Sequence, residues 1–389
     1  METLRGKVAI VGAADSEVGV VPQKGATQLC IDAALRALKD AGISKDQIDG
    51  LITCNSFSEP ILYHAETIAE YLQIFPKYCV SVANGGATTF TMLHHAASAI
   101  VTGMCDTVLI TMADSLRSGL TRDQAMTLQA STGHPEFEIP FGPTVPAYYA
   151  LLARAHMEKY GTTTEQLAAV AVSARKHASL NPAAQMREII TIEDVLHSRM
   201  VADPLHLLDC SLVSDGGAAV ILTSAERAKE FPHHPVYLLG VGEGHHQEHI
   251  TQSHNLTASA AVDSGRRAYE MAGLSPKDID FAQIYDAFTS MVILQLEDLG
   301  FCEKGEGGAF VESGAIDLGG KMPVNTHGGL LSHCHSGHPG SIFALTETVN
   351  QLRHQAGQRQ VPNAEVALVH GQGGIASSHA TLILGRDRA

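Results

Sequence analysis

Residues 41–49, Ala-Gly-Ile-Ser-Lys-Asp-Gln-Ile-Asp, match residues 272–280, Ala-Gly-Leu-Ser-Pro-Lys-Asp-Ile-Asp. Before each stretch, apolar side chains recur at helical spacing, and the glycine of the stretch ends the predicted helix. Gly42 and Gly273 are 231 residues apart. The match predicts that one structural unit occurs twice in the chain.

Further segments keep the same order in both halves. Asn84-Gly-Gly86 has a counterpart in His327-Gly-Gly329, each followed by a helical pattern, and the strand-like run 107–112 matches 366–369. A repeated order of strands, glycine loops and helices predicts a duplicated βαβ-rich unit. We expect an α/β protein with two similar sheets, helices between and outside them, and a layered α-β-α-β-α core.

The first half is predicted to carry an insertion. Residues 1–113 with 214–230 are the expected first half, residues 231–389 the second half, and residues 114–213 the insertion. Apolar spacing within the insertion predicts helices at about 147–159, 164–178 and 192–196.

Composition narrows the class of protein. The 389 residues are 45% hydrophobic and 17% charged, with a net charge of −15, so a nucleic-acid partner is not expected. The N-terminal residues lack the pattern of a signal peptide, and no apolar run has the length of a membrane span. Seven scattered cysteines without a Cys-x-x-Cys pair are typical of reduced thiols, which predicts a cytoplasmic protein.

Four histidines lie in one loop that is rich in glycine, serine and proline. His327, His333, His335 and His338 fall within residues 324–340, between a strand-like run and a helical pattern. Histidine titrates nearest physiological pH, so the loop is a candidate site, although a solvated surface loop is the alternative. The histidine spacing also occurs in metal sites, but no carboxylate supports one, and no metal is expected.

In α/β units, ligands bind at the loops that follow the carboxyl ends of strands. The candidate loops are Asn84-Gly-Gly86, Tyr285-Asp-Ala-Phe288, 325–338 and Gly371-Gln-Gly-Gly374. The helix after Gly86 would direct its N-terminal amides at a ligand, which favours an anion or a thioester oxygen. Paired glycines let a substrate approach the backbone closely.

Four segments together resemble the thiolase superfamily, and within it the sterol-carrier and lipid-transfer types. They are residues 203–217 (Asp-Pro-Leu-His-Leu-Leu-Asp-Cys-Ser-Leu-Val-Ser-Asp-Gly-Gly), Tyr285-Asp-Ala-Phe288, Asn325-Thr-His-Gly-Gly-Leu-Leu331 and Gly371-Gln-Gly-Gly374. The resemblance covers nearly the whole chain. It implies the thiolase fold, acyl-CoA substrates, and no cofactor besides the coenzyme A of the substrate. It also implies a homodimer and a small partner protein with an OB-fold and a zinc ribbon.

The chain departs from the family at the nucleophile. The family's cysteine falls on Gly86, its first histidine on Tyr285 and its second on His335, with His338 as a competing alignment. Without a thiolate, the covalent acyl-enzyme route has no evident nucleophile. Relatives that lack the cysteine include retro-aldolases that shorten steroid side chains. The resemblance therefore implies retro-aldol cleavage of a 3-hydroxyacyl-CoA to a ketone or aldehyde and a shorter acyl-CoA.

The implied catalytic residues are Tyr285 and His335. A free tyrosine has a pKa near ~10 and needs a stabilising neighbour to act as the base. His335 is the alternative base, with Tyr285 orienting the hydroxyl. Gly86, Asn325 and Gly374 are the implied oxyanion or substrate-binding positions.

Two other functions remain open at this point. A thiolase-type acyltransferase would need another thiol, and Cys334 beside His335 is the candidate. A non-catalytic subunit of a complex would bind an acyl-CoA without turning it over.

Overall fold

The computed structural model describes residues 3–388. Nine strands from both halves of the chain form one mixed β-sheet. Two further strands, β5 and β6, form a separate ribbon. The strands are β1 (Val8–Asp15), β2 (Gly50–Thr53), β3 (Tyr78–Ser81), β4 (Thr107–Ser115), β5 (Met200–Ala202), β6 (Leu205–His206), β7 (Asp215–Ser224), β8 (Val236–His245), β9 (Phe281–Ile284), β10 (Val366–Gly373) and β11 (Ser378–Gly385).

Helices separate the strands and cover the sheet. Within the described residues they are α1 (Ala26–Ala41), α2 (His64–Leu72), α3 (Thr88–Val101), α4 (Arg122–Ala130), α5 (Val145–Tyr160), α6 (Thr164–Ser179), α7 (Ile192–His197), α8 (Ala261–Ala272), α9 (Thr289–Asp298), α10 (Gly307–Glu312), α11 (Gly329–Ser332) and α12 (Ile342–Leu352).

Each half of the chain supplies one side of the nine-stranded sheet. The order is β3-β2-β4-β7-β1 in the first half, continued by β8-β11-β10-β9 in the second. β1 pairs antiparallel with β8 through Ala9 with Tyr237 and Ile10 with Val236. The two expected sheets are joined here into one, because the facing edge strands satisfy each other's backbone groups over this short stretch.

The predicted layers of the α/β fold are confirmed. α3 and α12 each pack against strands from both halves and form the middle layer. Phe90 and Leu93 of α3 are fully buried there. α1 covers β1, β4 and β7 from outside, and α8 covers β8 and β11.

The glycines of β8 bring α8 onto the sheet. A Cβ atom on Gly240 or Gly242 would overlap with a main-chain oxygen of α8, and one on Gly244 with the main-chain oxygen of Ala260, the residue before α8. The alternation of glycine along this strand therefore serves close packing of a helix on a strand.

The insertion connects two neighbouring strands. β4 and β7 pair antiparallel along their length, and residues 116–214 run from one to the other. Of the insertion's helices, α5 and α6 pack against α9 of the second half. The connection therefore spans from the first half to the second, next to the carboxyl ends of the strands.

One buried carboxylate holds both ends of this connection. Asp215, at the start of β7, is fully buried. Its Oδ2 accepts a hydrogen bond from the amide of Val21 at 2.8 Å, and its Oδ1 accepts from the amides of Arg117 at 2.8 Å and Ser118 at 2.9 Å. The N-terminal loop and the start of the insertion are thereby fixed to the sheet.

We expect Asp215→Ala to lower the free energy of unfolding by about 3 kcal/mol, because three amides lose a charged acceptor in a buried place. Urea denaturation measures the change. Glu70→Ala, at an exposed position on α2, is the control and should change this free energy by less than about 0.5 kcal/mol. Equal midpoints for the two variants would contradict the role given to Asp215.

Candidate active site

Three loops meet at Gly86, just before α3. A Cβ atom on Gly86 would overlap with the ring of Tyr285 and with the main-chain oxygen of Gln372. A Cβ on the neighbouring Gly85 would overlap with the backbone of Gly373. The structure therefore brings together the Gly86 loop, Tyr285 and the loop that ends at Gly374.

Tyr285 and His335 are hydrogen-bonded partners. The hydroxyl of Tyr285 lies 3.2 Å from Nε2 of His335. On the other side of the imidazole, Nδ1 lies 2.9 Å from the hydroxyl of Ser211 and 3.2 Å from the carbonyl oxygen of Leu212. A carbonyl oxygen only accepts, so we assign the proton to Nδ1, which leaves Nε2 to accept from Tyr285.

Desolvation sets the charge of both partners. It raises the pKa of Tyr285 above its usual value, and the negative charges of Tyr149 and Asp286 would raise it further. It lowers the pKa of His335 to about 4. At neutral pH the phenol therefore keeps its proton and the imidazole is neutral, so the chemistry favours His335 as base and Tyr285 as hydrogen-bond donor. Both side chains remain partly exposed.

Asp286 ties the loop of Tyr285 to the loop of His335. Its Oδ1 accepts from the amide of Leu330 at 2.7 Å, and its Oδ2 from the amide of Leu331 at 3.4 Å. Burial raises the pKa of Asp286 to about 7, against the opposing effect of these amides. Sequence reasoning gave this residue no role, although it lies within the quoted Tyr-Asp-Ala-Phe segment.

The last residues of the insertion form hydrogen bonds with the backbone of His335 and of its loop. The amide of Ser214 donates to the carbonyl oxygen of His335 at 3.0 Å, and the amide of His335 donates to Oγ of Ser214 at 3.1 Å. The amide of Leu212 donates to the carbonyl oxygen of Leu330 at 3.0 Å. Ser211 and Ser214 were not singled out from the sequence, but both lie in the segment 203–217 that carries the family resemblance.

Asn325 and Gly374 have contacts of their own. Asn325 has a positive φ of 54°, its Oδ1 accepts from the amide of Ile284 at 2.7 Å, and its Nδ2 donates to the carbonyl of Ile284 at 2.8 Å. Both ends of this amide are thus used to join two loops, which favours a structural role. The carbonyl of Gly374 accepts from the hydroxyl of Tyr149 at 2.8 Å. Substrate binding at either position stays a prediction.

The side chains of the alternates His338 and Cys334 have partners other than Tyr285 and His335. His338 contacts Sγ of Cys54 at 3.1 Å and the ring of Phe57. Cys334 is fully buried, and burial raises the pKa of its thiol. A protonated, enclosed thiol is a poor nucleophile.

The other two loop histidines are also buried. The rings of His327 and His333 are 5.3 Å apart, and burial lowers the pKa of each to about 3. Across residues 3–388, no cluster of three or more His, Cys, Asp or Glu side chains is arranged to hold a metal ion.

Comparison with known proteins assigns the family. The thiolase N-terminal domain matches residues 8–226, and the thiolase C-terminal domain-like family matches residues 242–386. The chain belongs to the thiolase family. No helix within residues 3–388 is both long enough and apolar enough to cross a membrane.

Similar proteins are named for two different reactions, acetyl transfer and carbon–carbon bond cleavage. The chain is 36% identical to an acetyl-CoA acetyltransferase of Methanothermobacter thermautotrophicus, over 97% of this chain and 99% of that one. It is also 36% identical to the 17-hydroxy-3-oxo-4-pregnene-20-carboxyl-CoA lyase of Mycobacterium tuberculosis, over 98% and 100% of the chains. A solved structure, the Ltp2-ChsH2(DUF35) aldolase, superposes with a TM-score of 0.88 at 34% identity, covering 98% of each chain.

We expect Gly86→Ala to lower the free energy of unfolding by about 1–3 kcal/mol, because the added methyl overlaps with a ring and a backbone oxygen. In a Tyr285→Ala background the same substitution should cost less, since only the backbone oxygen of Gln372 remains in its way. A double-mutant cycle by chemical denaturation measures this coupling. The same cost in both backgrounds would show that the ring does not occupy this space.

Proposed function

We propose that the chain is a coenzyme A-dependent retro-aldolase. Its substrate would be a 3-hydroxyacyl-CoA with a steroid or other branched side chain, cleaved to a ketone or aldehyde and a shorter acyl-CoA. The observation that carries this proposal is the ring of Tyr285 in the place of a Cβ at Gly86, where the family's nucleophile would stand. The names of the lyase relative and of the aldolase structure support it.

In the proposed reaction, Nε2 of His335 takes the proton of the β-hydroxyl, while the hydroxyl of Tyr285 donates to the same substrate oxygen. The electrons of the Cα–Cβ bond move into the thioester, whose enolate oxygen is met by backbone amides near Gly86 and Gly374. The imidazolium of His335 then returns its proton to Cα. The proton taken from the hydroxyl ends on carbon, so the step balances without a cofactor besides coenzyme A.

A thiolase-type acyltransferase is the second candidate, because an acetyl-CoA acetyltransferase is an equally similar relative. It would use Cys334, whose burial and raised thiol pKa weigh against it. An acyl adduct on Cys334, found by mass spectrometry after incubation with acyl-CoA, would favour this function. Acyl-CoA binding without turnover, unchanged by Tyr285→Phe, would instead favour a non-catalytic subunit.

We also propose two protein partners and a cytoplasmic location. β3 is the last strand of the sheet order, and the exposed Leu62, Tyr63 and Phe75 flank the helix beside it. An open edge next to apolar side chains favours pairing with a second copy of the chain. The name of the aldolase structure, which joins two proteins, supports a partner protein. We propose that this partner is a small protein with an OB-fold and a zinc ribbon. All seven cysteines are free thiols, which fits a reducing compartment.

We expect His335→Ala to lower kcat for ketone release from a branched 3-hydroxyacyl-CoA by about 100- to 10,000-fold, as loss of a general base does. Tyr285→Phe should lower it less, because it removes a donor and leaves the base. The assay uses the full chain with its partner. His254→Ala, at an exposed histidine, is the matched control. Full activity of His335→Ala, or inactivation of the wild type by thiol alkylation, would contradict the proposal.

The pH dependence of kcat/KM tests the assignment of the base. His335 must be neutral to accept a proton, and its pKa is lowered to about 4. The loss of activity that protonation of His335 causes should therefore occur as pH approaches 4, rather than near the ordinary histidine value of about 6.5. This limb is separate from any titration of Asp286, whose pKa is about 7. Absence of a limb near pH 4 would show that a desolvated His335 is not the base.

A further inference from the structure

Two aromatic side chains border the reaction centre on the side of the insertion. Tyr149 of α5 and Phe288, which precedes α9, stack with their ring centroids 4.4 Å apart. Both are buried, with 3% and 5% of their surface exposed. Tyr149 is near enough to Tyr285 for a charge on one phenol to affect the other. We call Tyr149 and Phe288 the aromatic wall.

Gln372 of β10 reaches from the Gly86 loop to this wall. Its main-chain oxygen is one of the two groups that fill the space at Gly86. Its side-chain Nε2 lies 2.7 Å from the hydroxyl oxygen of Tyr149. The residue therefore lies between the reaction centre and the aromatic wall, with 1% of its surface exposed.

Hydrogen-bond direction fixes the orientation of the Gln372 amide. The hydroxyl of Tyr149 has one proton, and it donates this proton to the carbonyl oxygen of Gly374, which only accepts. The oxygen of Tyr149 must then accept from Gln372, so Nε2 faces Tyr149. The other end of the amide, Oε1, is buried and has no hydrogen-bond partner among residues 3–388.

A buried amide oxygen without a donor costs free energy, and native proteins satisfy nearly all such groups. The aromatic wall is in contact with this amide through Tyr149, which is also near Tyr285. An acyl chain bound next to Tyr285 would therefore pass along the wall, within reach of an acceptor that has no partner among residues 3–388. In small-molecule sites, a small number of polar groups on a mainly apolar lining determines which ligand binds.

We propose that Oε1 of Gln372 accepts a hydrogen bond from a second hydroxyl on the acyl skeleton, close to the bond that is cleaved. This inference rests on the proposed retro-aldol function and names its substrate class, which is a branched 3-hydroxyacyl-CoA with an additional hydroxyl. The 3-hydroxyl itself is not the donor, because its one proton goes to His335. Tyr149 is a positioning residue that keeps Oε1, rather than Nε2, facing the substrate.

The test compares two branched 3-hydroxyacyl-CoA thioesters that differ by one hydroxyl on the carbon next to Cβ. The full chain with its partner should cleave the dihydroxy compound with a kcat/KM at least about tenfold higher, as sites built around one hydrogen bond do. Gln372→Leu should remove this preference, so that the ratio of the two kcat/KM values falls to about 1. Gln283→Leu, at a buried glutamine that also has an unpartnered Oε1 but donates to Thr326, should leave the preference unchanged.

Tyr149→Phe gives a second, independent readout. Without the acceptor of Tyr149, the Gln372 amide is free to rotate and present Nε2, a donor. The variant should therefore lose preference for the additional hydroxyl and gain activity toward the matched thioester with a ketone at that carbon. If Tyr149→Phe only destabilised the site and left the Gln372 amide in its orientation, activity on all three thioesters would fall alike, which would contradict the positioning role of Tyr149.

Two results would overturn the inference: equal cleavage of the paired thioesters by the wild type, or a preference that survives Gln372→Leu. Absence of cleavage of any thioester would overturn the retro-aldol function instead. In that case, the affinities of the chain for the same thioesters, measured by calorimetry, test whether Gln372 binds the additional hydroxyl. A hydroxyl-dependent affinity that Gln372→Leu removes supports it, and equal affinities overturn it.

Discussion

The packing at Gly86 is the constraint on which the rest of the site depends. The ring of Tyr285 and the main-chain oxygen of Gln372 fill the space in which any side chain at position 86 would begin. A nucleophile at the start of α3 and an aromatic ring at position 285 therefore exclude each other. The phenol of Tyr285 occupies the space that a thiol at position 86 would need. Because its pKa is raised, it stays protonated and donates a hydrogen bond beside the neutral imidazole of His335.

Local patterns predicted the regular parts of the fold because they leave periodic signals. The duplicated order of elements and the helices α5, α6 and α7 follow from apolar spacing. The pairing of β1 with β8 has no such signal, since it involves two residue pairs from distant parts of the chain. α4 has no buried residue, so it carries no apolar stripe to detect. The Thr-x-x-Glu pattern at 162–165 resembles a capping box, but the cap of α6 uses Thr163 and Gln166.

For the site, motif positions were enough to find Gly86, Tyr285 and His335, which the structure brings together. The supporting residues were harder to predict because each acts through a residue far away in sequence. Asp286 bonds to amides 44 and 45 positions later, and Ser211 reaches the imidazole across 124 positions. Which of Tyr285 and His335 is the base was also open in the sequence, since desolvation depends on what packs around them.

Overall similarity does not separate the reactions of this family. Two relatives with the same 36% identity to this chain carry the names of an acetyltransferase and a lyase. The residues at 86 and 285 are more informative because sterics couple them. A cysteine at 86 has no room beside the tyrosine ring, and a glycine at 86 without that ring would leave a gap at the reaction centre. On these steric grounds we expect the two positions to change together, and the pair to indicate the chemistry better than the percentage of identical residues does.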